Sequence, residues 1–263
     1  MDYEQRNPVP LPEGGPYQKV SATIDAIYDW QYALDDRKLL HLYEKGKKLG
    51  WNATELDWST EVDVEKRGHE NEIENFFNHA LKPPKTMTRE DAVRYHMHSN
   101  AFMLSQFLHG EQGALVASAK IVETVPWAEA KFYAANQVAD EARHVEVYHR
   151  YLTEKLGVSY GVHPSLKTLL DDITTDSRWD VTYLGMQIMV EGLALAAFGI
   201  MKMVMSDEPL IQDITTRIMA DEARHVGFGV LTLQKLYETE LSASEIRERE
   251  DFIIDSTNLL HQR

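Results

Sequence analysis

A repeated pentapeptide carries side chains that could bind metal ions. The sequence Asp-Glu-Ala-Arg-His occupies residues 140–144 and recurs at residues 221–225. Because residues three apart share one face of a helix, the glutamate and the histidine of each copy could present an oxygen and a nitrogen atom to the same ion. The candidate ligands in the two copies are Glu141, His144, Glu222 and His225. Apolar flanking residues disfavour the alternative that both copies are charged surface faces with idle histidines.

Each copy is preceded by a single glutamate in an apolar stretch. Glu111 lies about thirty residues before Glu141, and Glu191 lies about thirty residues before Glu222. Because an α-helix rises about 1.5 Å per residue, two antiparallel helices joined midway would hold both glutamates of one pair at the same level. The sequence therefore predicts a duplicated helix pair that supplies six ligands in all.

Glycines flank both of these single glutamates. Gly110 and Gly113 lie around Glu111, and Gly192 follows Glu191. A glycine inside a helix lowers the stability of the helix by about 1 kcal/mol relative to alanine, so a structural reason for these glycines is expected. We expect close approach of neighbouring helices at the ligands, with kinks or helix ends as the alternative.

Charge counting indicates which ions these ligands would hold. Four buried carboxylates cannot stay ionised without partners, so they must either take up protons or bind cations. Two divalent ions would neutralise them. Mixed oxygen and imidazole ligation suits iron or manganese, with zinc possible, and the chain has no cysteine to favour a softer ion.

The surrounding sequence predicts the helices that must position these residues. Apolar periodicity, together with proline, glycine and N-cap signals, indicates six long helical segments. They cover about residues 24–49, 88–124, 126–156, 177–205, 209–239 and 242–260. We therefore expect an N-terminal extension with one helix at residues 1–87 and a bundle at residues 88–263, in one compact domain.

The six-residue set resembles that of the ferritin-like di-iron carboxylate proteins, whose helical bundles supply such ligands from four helices. The repeated motif is most similar to that of the hydroxylase subunits of bacterial multicomponent monooxygenases. The position of Tyr148, four residues after His144, is similar to that of a tyrosine in ribonucleotide reductase small subunits. This resemblance implies an all-α fold, a ferritin-like four-helix bundle with additional N- and C-terminal helices. It also implies two iron ions or a manganese and iron pair, dioxygen as a substrate, and an external electron donor.

The resemblance assigns supporting roles to the other charged residues of the motif. Asp140 and Asp221 would each accept a hydrogen bond from a ligand imidazole, and Arg143 and Arg224 would hold those aspartates. The chain also departs from its relatives. Leu195 stands where the monooxygenase hydroxylases usually have a threonine, and Ile218 stands where the di-iron N-oxygenases have an extra histidine. The N-oxygenase chemistry is therefore disfavoured.

Two further residues are candidates for catalysis. Tyr148 follows His144 by four residues, which resembles the radical tyrosine of ribonucleotide reductase small subunits, although an ordinary core tyrosine is the alternative. Gln187, one turn before Glu191, could meet a metal-bound water or a substrate group, and Gln137 holds the matching place before Glu141. Either glutamine could instead face solvent.

Apolar residues about one turn from a ligand could line a substrate cavity, or could be plain core. They are Phe107, Leu108, Ala114, Leu115, Val138, Ile188, Leu195 and Phe228. These residues favour a small apolar substrate.

Length and composition limit the possible partners. The chain has 263 residues, no cysteine and a formal net charge of −15, which repels phosphate backbones and anionic membranes. We see no signal-peptide pattern at the N-terminus, and we expect a soluble cytoplasmic homodimer that binds neither nucleic acid nor membranes.

The sequence thus favours a di-iron oxidase or monooxygenase that activates dioxygen and oxidises a small apolar substrate, with a reductase or other electron donor as partner. Two alternatives stay open. One is a ferroxidase that handles iron, and the other is a subunit that generates a radical for a partner enzyme.

Overall fold

The computed structural model describes residues 17–63 and 88–261. Within these residues the secondary structure is helical and no strand occurs, which confirms the predicted all-α class. The helices are α1 (Arg37–Leu49), α2 (Arg89–Thr124), α3 (Ala128–Arg150, continued by the π-helical turn Tyr151–Leu156), α4 (Pro164–Thr175), α5 (Trp179–Tyr183, the π-helical turn Leu184–Val190 and Glu191–Val204), α6 (Pro209–Thr239) and α7 (Ala243–His261). A short 3-10 turn, Ala53–Glu55, follows α1.

Helices α2, α3, α5 and α6 form a four-helix bundle. The short connections from α2 to α3 and from α5 to α6 make two antiparallel hairpins, whose helices pack along each other. Helix α1 lies against α3 and α6, and α4 lies against α2. Helix α7 packs on α4 and on the π-helical turn of α5. The bundle therefore has additional helices on its outside at both ends of the chain.

Local signals in the sequence explain several helix ends. Thr88 caps α2, where its side chain accepts a hydrogen bond from Asp91 N, and Asp91 accepts one from Thr88 N in return. Pro209 occupies the first turn of α6, where its missing N–H costs nothing. Gly157 has φ 66° and ends the helical run of α3 in a left-handed conformation.

The first predicted helix, at residues 24–49, was wrong in its N-terminal half. Helix α1 begins only at Arg37, because the side chain of Asp36 accepts hydrogen bonds from the backbone N–H groups of residues 38 and 39. The preceding residues run over the bundle without helix, and Ile27 N donates to Glu123 O at 2.8 Å. These long-range contacts override the helical pattern of the sequence.

Two other boundaries differ from the prediction. Helix α4 is absent from the six predicted segments, although Pro164 occupies its first turn, where proline is favoured, and the helix buries Leu169 and Ile173. Helix α3 begins at Ala128 rather than at Pro126. The division at residue 87 stays a prediction, since residues 1–16 and 64–87 lie outside the described part of the chain.

Helix α5 combines an apolar composition with a local irregularity. Among the described helices, it is the one long and apolar enough to cross a membrane by length and composition alone, and it packs against α6 within the bundle. Its π-helical turn Leu184–Val190 ends directly before Glu191. Such turns occur often at functional sites, because the extra residue changes which side chains face inward.

Apolar layers pack above and below the middle of the bundle. One layer contains Leu104, Tyr151, Leu152, Phe198 and Ile214, together with Trp51 and Leu56 from the segment after α1. The layer at the other end contains Ile121, Tyr133, Tyr183, Leu184 and Phe228. The N-terminal residues around Trp51 are therefore part of the bundle core.

A buried ion pair attaches α7 to the bundle and should be important for stability. Arg249 on α7 makes two bonds to Asp180 on α5, Nε to Oδ2 at 2.9 Å and Nη2 to Oδ1 at 3.1 Å. We expect Arg249→Met to lower the free energy of unfolding by about 3 to 5 kcal/mol, because it leaves the buried charge of Asp180 without this partner. Urea denaturation would measure the loss.

Arg94→Met is the matched control. Arg94 pairs with Glu90 on the exposed surface of α2 at 3.5 Å, so its loss should change stability by at most about 0.5 kcal/mol. Equal losses in the two variants would contradict the role given to the buried pair.

Candidate metal centre

The six side chains predicted as ligands converge in the middle of the bundle. Each of the four bundle helices contributes, and all six residues are buried, with Glu111 the most exposed at 6%. Their donor atoms form two groups in which all atoms lie within 4.8 Å of one another. The first group is Glu111, Glu141, His144 and Glu222, and the second is Glu141, Glu191, Glu222 and His225. The two groups share Glu141 and Glu222, which is the arrangement expected of two neighbouring ions bridged by carboxylates.

In the first group, one imidazole nitrogen lies among three carboxylates. His144 Nδ1 is 3.2 Å from Glu111 Oε2, 3.2 Å from Glu141 Oε2 and 3.1 Å from Glu222 Oε1. One N–H group can donate well to one of these oxygen atoms but not to all three. The atoms thus converge on a common point rather than forming separate pairs.

The second group repeats this pattern. His225 Nδ1 lies 3.0 Å from Glu141 Oε1 and 3.3 Å from Glu222 Oε2. Glutamate and histidine within each pentapeptide are three residues apart, so the helix itself brings them to one face. The lone glutamate of this group is Glu191, at the first residue after the π-helical turn of α5.

The donor set fits a pair of divalent ions. Ligands that surround one ion at about 2.1 Å and at right angles lie about 3.0 Å apart, and the contacts above span 3.0 to 3.3 Å. Within the described residues, Glu141 Oε2, Glu191 Oε2, both carboxylate oxygens of Glu222 and His225 Nδ1 are buried without a hydrogen-bond partner. Buried polar atoms of this kind are costly unless a cation satisfies them.

The aspartates of the motif support the histidines in a crossed arrangement. His144 Nε2 lies 3.1 Å from Asp221 Oδ2, and His225 Nε2 lies 3.2 Å from Asp140 Oδ2. Each aspartate therefore holds the histidine of the opposite pentapeptide. Such a bond fixes the ring and directs Nδ1 toward the carboxylates.

The arginines of the motif bind these aspartates. Arg143 pairs with Asp140 in its own helix and lies 3.8 Å from Asp221, while Arg224 pairs with Asp221 and lies 3.8 Å from Asp140. Two arginines thus balance the two aspartates. In the described residues, the arginines of the motif pair with these aspartates and not with the four glutamates of the centre.

Two residues that support the aspartates were missed by the sequence analysis. Trp51 Nε1 donates to Asp221 Oδ2 at 2.8 Å, and the indole ring stacks on His144 with centroids 6.5 Å apart. Asn136 Nδ2 donates to Asp140 Oδ2 at 3.2 Å. Trp51 lies far from the motif in the chain, and no spacing could have linked it to Asp221.

The two glutamines differ in their contacts with the ligands. Both are fully buried, so neither faces solvent. Gln137 Nε2 donates to Glu141 Oε1 at 3.0 Å and to Glu191 Oε1 at 2.8 Å. Gln187, the glutamine proposed for catalysis, lies 3.5 Å from Gln137 Oε1 through its own Nε2 atom.

Two buried tyrosines flank the centre. Tyr148 packs between Phe107 and Phe198, and its hydroxyl has no hydrogen-bond partner among the described residues. Burial and the nearby Glu111 carboxylate raise its pKa well above the usual value. Tyr133, which the sequence analysis did not single out, packs edge-on against His225 with centroids 6.4 Å apart.

Burial and mutual charge shift the titration of the site. Burial raises the pKa of Glu111 and of Glu191 well above the usual value of a glutamate. Although burial opposes it, the Glu111 carboxylate raises the pKa of His144. Burial also opposes ionisation of Asp221, but the hydrogen bonds with His144 and Trp51 and the charges of His144 and Arg224 together lower the pKa of Asp221 to about 2.

An apolar cavity of about 200 Å³ leads to the centre. Its inner end is formed by Glu111, Glu191 and Glu222, and its outer end includes the exposed side chains of Leu193 and Leu260. Of the eight apolar residues expected to line such a cavity, Phe107 and Ala114 do so. The other six are not part of this wall, and Phe228, for example, packs on Tyr133 and Tyr183.

The glycines near the ligands have different surroundings. A Cβ atom on Gly113 would come within 2.4 Å of the Leu170 side chain, as expected for close helix packing. A Cβ atom on Gly110 or Gly192 would meet no atom within 4 Å, so close approach does not explain these two glycines. Gly110 instead lies on the cavity wall.

Comparisons with known proteins agree with this architecture. A family model described as "Protein of unknown function (DUF455)" matches residues 36–252. Among solved structures, the chain is similar to a mutant of an R2-like ligand-binding oxidase with an anaerobically reconstituted Mn/Fe cofactor. The identity is 19%, the alignment covers 86% of this chain and 85% of that chain, and the TM-score is 0.54. This likeness shows the ferritin-like fold that the sequence resemblance implied. No curated protein matches the chain.

Metal stoichiometry should follow from the sharing of ligands between the two groups. We expect the wild type to bind about two ferrous ions per chain under anaerobic conditions. Glu141→Ala removes a ligand from both groups and should reduce binding to near zero, whereas Glu111→Ala leaves the second group intact and should keep about one ion. Elemental analysis after desalting would give these values.

Glu129→Gln is the control for loss of a buried carboxylate. Glu129 is 4% exposed and accepts a hydrogen bond from Asp36 N, away from the centre. This variant should keep the wild-type metal content. The assignment fails if Glu141→Ala keeps as much metal as Glu129→Gln does.

Proposed function

The chain belongs to the DUF455 family of proteins of unknown function, and we propose that it is an oxygen-activating oxidoreductase with a dinuclear metal centre. Two iron ions, or a manganese and an iron ion, would be held by the six residues of the centre. The substrate would be a small apolar molecule bound in the cavity beside Glu111 and Glu191. The reaction would be either a monooxygenation or an oxidation without oxygen insertion.

The proposal rests on one observation: the candidate metal ligands form the inner end of an apolar cavity. A set of four carboxylates and two imidazoles suits iron and manganese. The same carboxylates form the inner end of a cavity whose walls are apolar, including Phe107, Ala194 and Phe198. Storage of metal ions alone does not call for an apolar cavity at the centre, whereas oxidation of an apolar molecule does.

The bound metal pair would supply dioxygen binding and electron transfer. In a monooxygenation, dioxygen, the substrate, two electrons and two protons give a hydroxylated product and water. In an oxidation, the substrate loses two hydrogen atoms, and dioxygen with two further electrons and protons gives two water molecules. In both cases the balance requires two electrons from an external donor.

The residues of the chain would contribute orientation and exclusion of water. The aspartates keep each imidazole in one orientation, so that Nδ1 faces the metal positions. The apolar cavity wall limits bulk water near the centre, which protects reactive species from side reactions. Glu111, whose carboxyl pKa is raised by burial, can hold a proton beside the cavity until metal ions replace it.

A second candidate function rests on Tyr148. Its ring is buried, and its hydroxyl has no hydrogen-bond partner among the described residues. The charges of Glu111 and His144 are near enough to shift the pKa of this hydroxyl. The bound metal pair with dioxygen would supply the oxidant, and Tyr148 would give up one electron and its hydroxyl proton to leave a tyrosyl radical. The protein would then generate a radical for a partner enzyme.

Reaction with dioxygen is the direct test of the proposal. We expect the anaerobically ferrous-loaded protein to consume dioxygen at least about tenfold faster than the Glu141→Ala variant, which lacks a ligand of both groups. An oxygen electrode and stopped-flow absorption would measure this. A wild-type rate equal to that of free ferrous iron would end the proposal.

Two further measurements on the ferrous-loaded protein distinguish the alternative functions. A Tyr148→Phe variant that keeps the full rate and loses no radical signal in electron paramagnetic resonance would remove the radical function. A closed shell of many subunits in size-exclusion chromatography, with an iron core formed on turnover, would favour iron handling. A small oligomer without such a core supports the enzyme.

The cavity can be tested without knowing the substrate. Apolar cavities of about 150 Å³ can bind benzene, so the wild type should bind benzene and show a higher melting temperature in its presence. Ala197 lines the cavity, and Ala197→Leu should weaken this binding by about tenfold or more. Ala196 is exposed and lies outside the lining, so Ala196→Leu should bind as the wild type does. Equal binding by both variants would exclude this cavity as the binding place.

A further inference from the structure

The duplicated centre loses its symmetry at one buried position. Gln137 lies four residues before Glu141 in the first copy, and Ile218 lies four residues before Glu222 in the second. Both side chains are fully buried. The centre therefore has a buried amide on one side and a hydrocarbon on the other.

The amide of Gln137 connects two ligands from different helices. Its single Nε2 atom donates to Glu141 Oε1 at 3.0 Å and to Glu191 Oε1 at 2.8 Å. Carboxylates are acceptors, so the nitrogen and not the oxygen of the amide must face them. The oxygen faces Gln187 Nε2 at 3.5 Å, which is consistent with this orientation.

This contact acts on the two lone glutamates unequally. Glu191 Oε1 is engaged by Gln137, and Glu191 Oε2 has no partner among the described residues and is free to bind an ion. Glu111 contacts His144 Nδ1 at 3.2 Å, and the residue that matches Gln137 on its side of the centre is the apolar Ile218. Within residues 17–63 and 88–261, only the second group thus has an amide anchor on its lone glutamate.

We propose that Gln137 is a positioning residue that holds Glu191 against Glu141 and thereby makes the two metal positions unequal. The second group, with Glu191 and His225, is preorganised by the amide. The first group, with Glu111 and His144, lacks this anchor. The inference rests on the proposed metal centre, and it does not depend on the reaction with dioxygen.

Single-site variants allow each metal position to be measured alone. Glu111→Ala leaves the second group, and Glu191→Ala leaves the first. Cobalt(II) is the probe, because its visible absorption reports the ligand geometry and needs no turnover. Gln137→Leu, which places a hydrocarbon there as Ile218 does in the other copy, is combined with each of these variants.

Gln137→Leu should weaken cobalt(II) binding about 10- to 100-fold in the Glu111→Ala background, as loss of a residue that orients a ligand commonly does. In the Glu191→Ala background the change should be less than about threefold. The Glu191 carboxylate is already absent there, and Gln137 meets Glu141 at Oε1, the oxygen beside His225, whereas Oε2 is the oxygen beside His144 of the first group. The cobalt(II) spectrum should change in the first background and stay the same in the second. A role of Gln137 in packing alone would give equal changes in both backgrounds and would overturn the inference.

Gln212→Leu controls for the general effect of replacing a glutamine by leucine. Gln212 donates to the backbone oxygens of Lys202 and Met205, away from the centre. It should leave cobalt(II) affinity and spectrum unchanged in both backgrounds. If Gln137→Leu behaves like Gln212→Leu, Gln137 does not position Glu191.

The outcome is separable from that of the proposed function. A protein whose cobalt(II) binding depends on Gln137 but whose ferrous form does not consume dioxygen would retain this inference and lose the oxidase proposal. If the protein consumes dioxygen but its cobalt(II) affinity does not change in Gln137→Leu, the oxidase proposal is retained and this inference is lost.

Discussion

The burial of four glutamates between four helices is the constraint on which the rest of the structure depends. Ionised carboxylates in an apolar interior are too costly to keep without cations or hydrogen-bond donors nearby. Two imidazoles, two aspartate–arginine pairs and one amide lie around these glutamates. Several carboxylate oxygens still have no hydrogen-bond partner among the described residues. Those oxygens define where positive charge is still needed, and two divalent ions would supply it.

The crossed support of the histidines links the two halves of the bundle. Asp221 holds His144 and Asp140 holds His225, so each half-site depends on the other hairpin. The arginines continue this link, because each lies near both aspartates. A metal position therefore cannot form from one hairpin alone, and folding of the bundle and formation of the centre are coupled.

The two sides of the centre differ in their surroundings. The apolar cavity opens on the side of Glu111, Glu191 and Glu222, the amide of Gln137 lies beside Glu191, and Trp51 supports only Asp221. The π-helical turn before Glu191 adds a further difference, since α2 has no such turn before Glu111. Ligands come from the duplicated pattern, whereas the approach of a substrate and the strength of each metal position depend on residues outside it.

The sequence by itself determined the all-α class, the bounds of α2 and α6, and the six residues that meet at the centre, because helical periodicity and a repeated spacing act locally along the chain. It did not determine the start of α1, the existence of α4, or which residues line the cavity. The contact of Trp51 with Asp221 and that of Gln137 with Glu191 arise only through packing, since contacts between distant segments leave no spacing in the sequence. Asn136, by contrast, lies one helical turn before Asp140, a spacing that does allow their contact to be predicted. Tertiary structure alone decided that each aspartate serves the opposite histidine, because that choice depends on how two hairpins face each other.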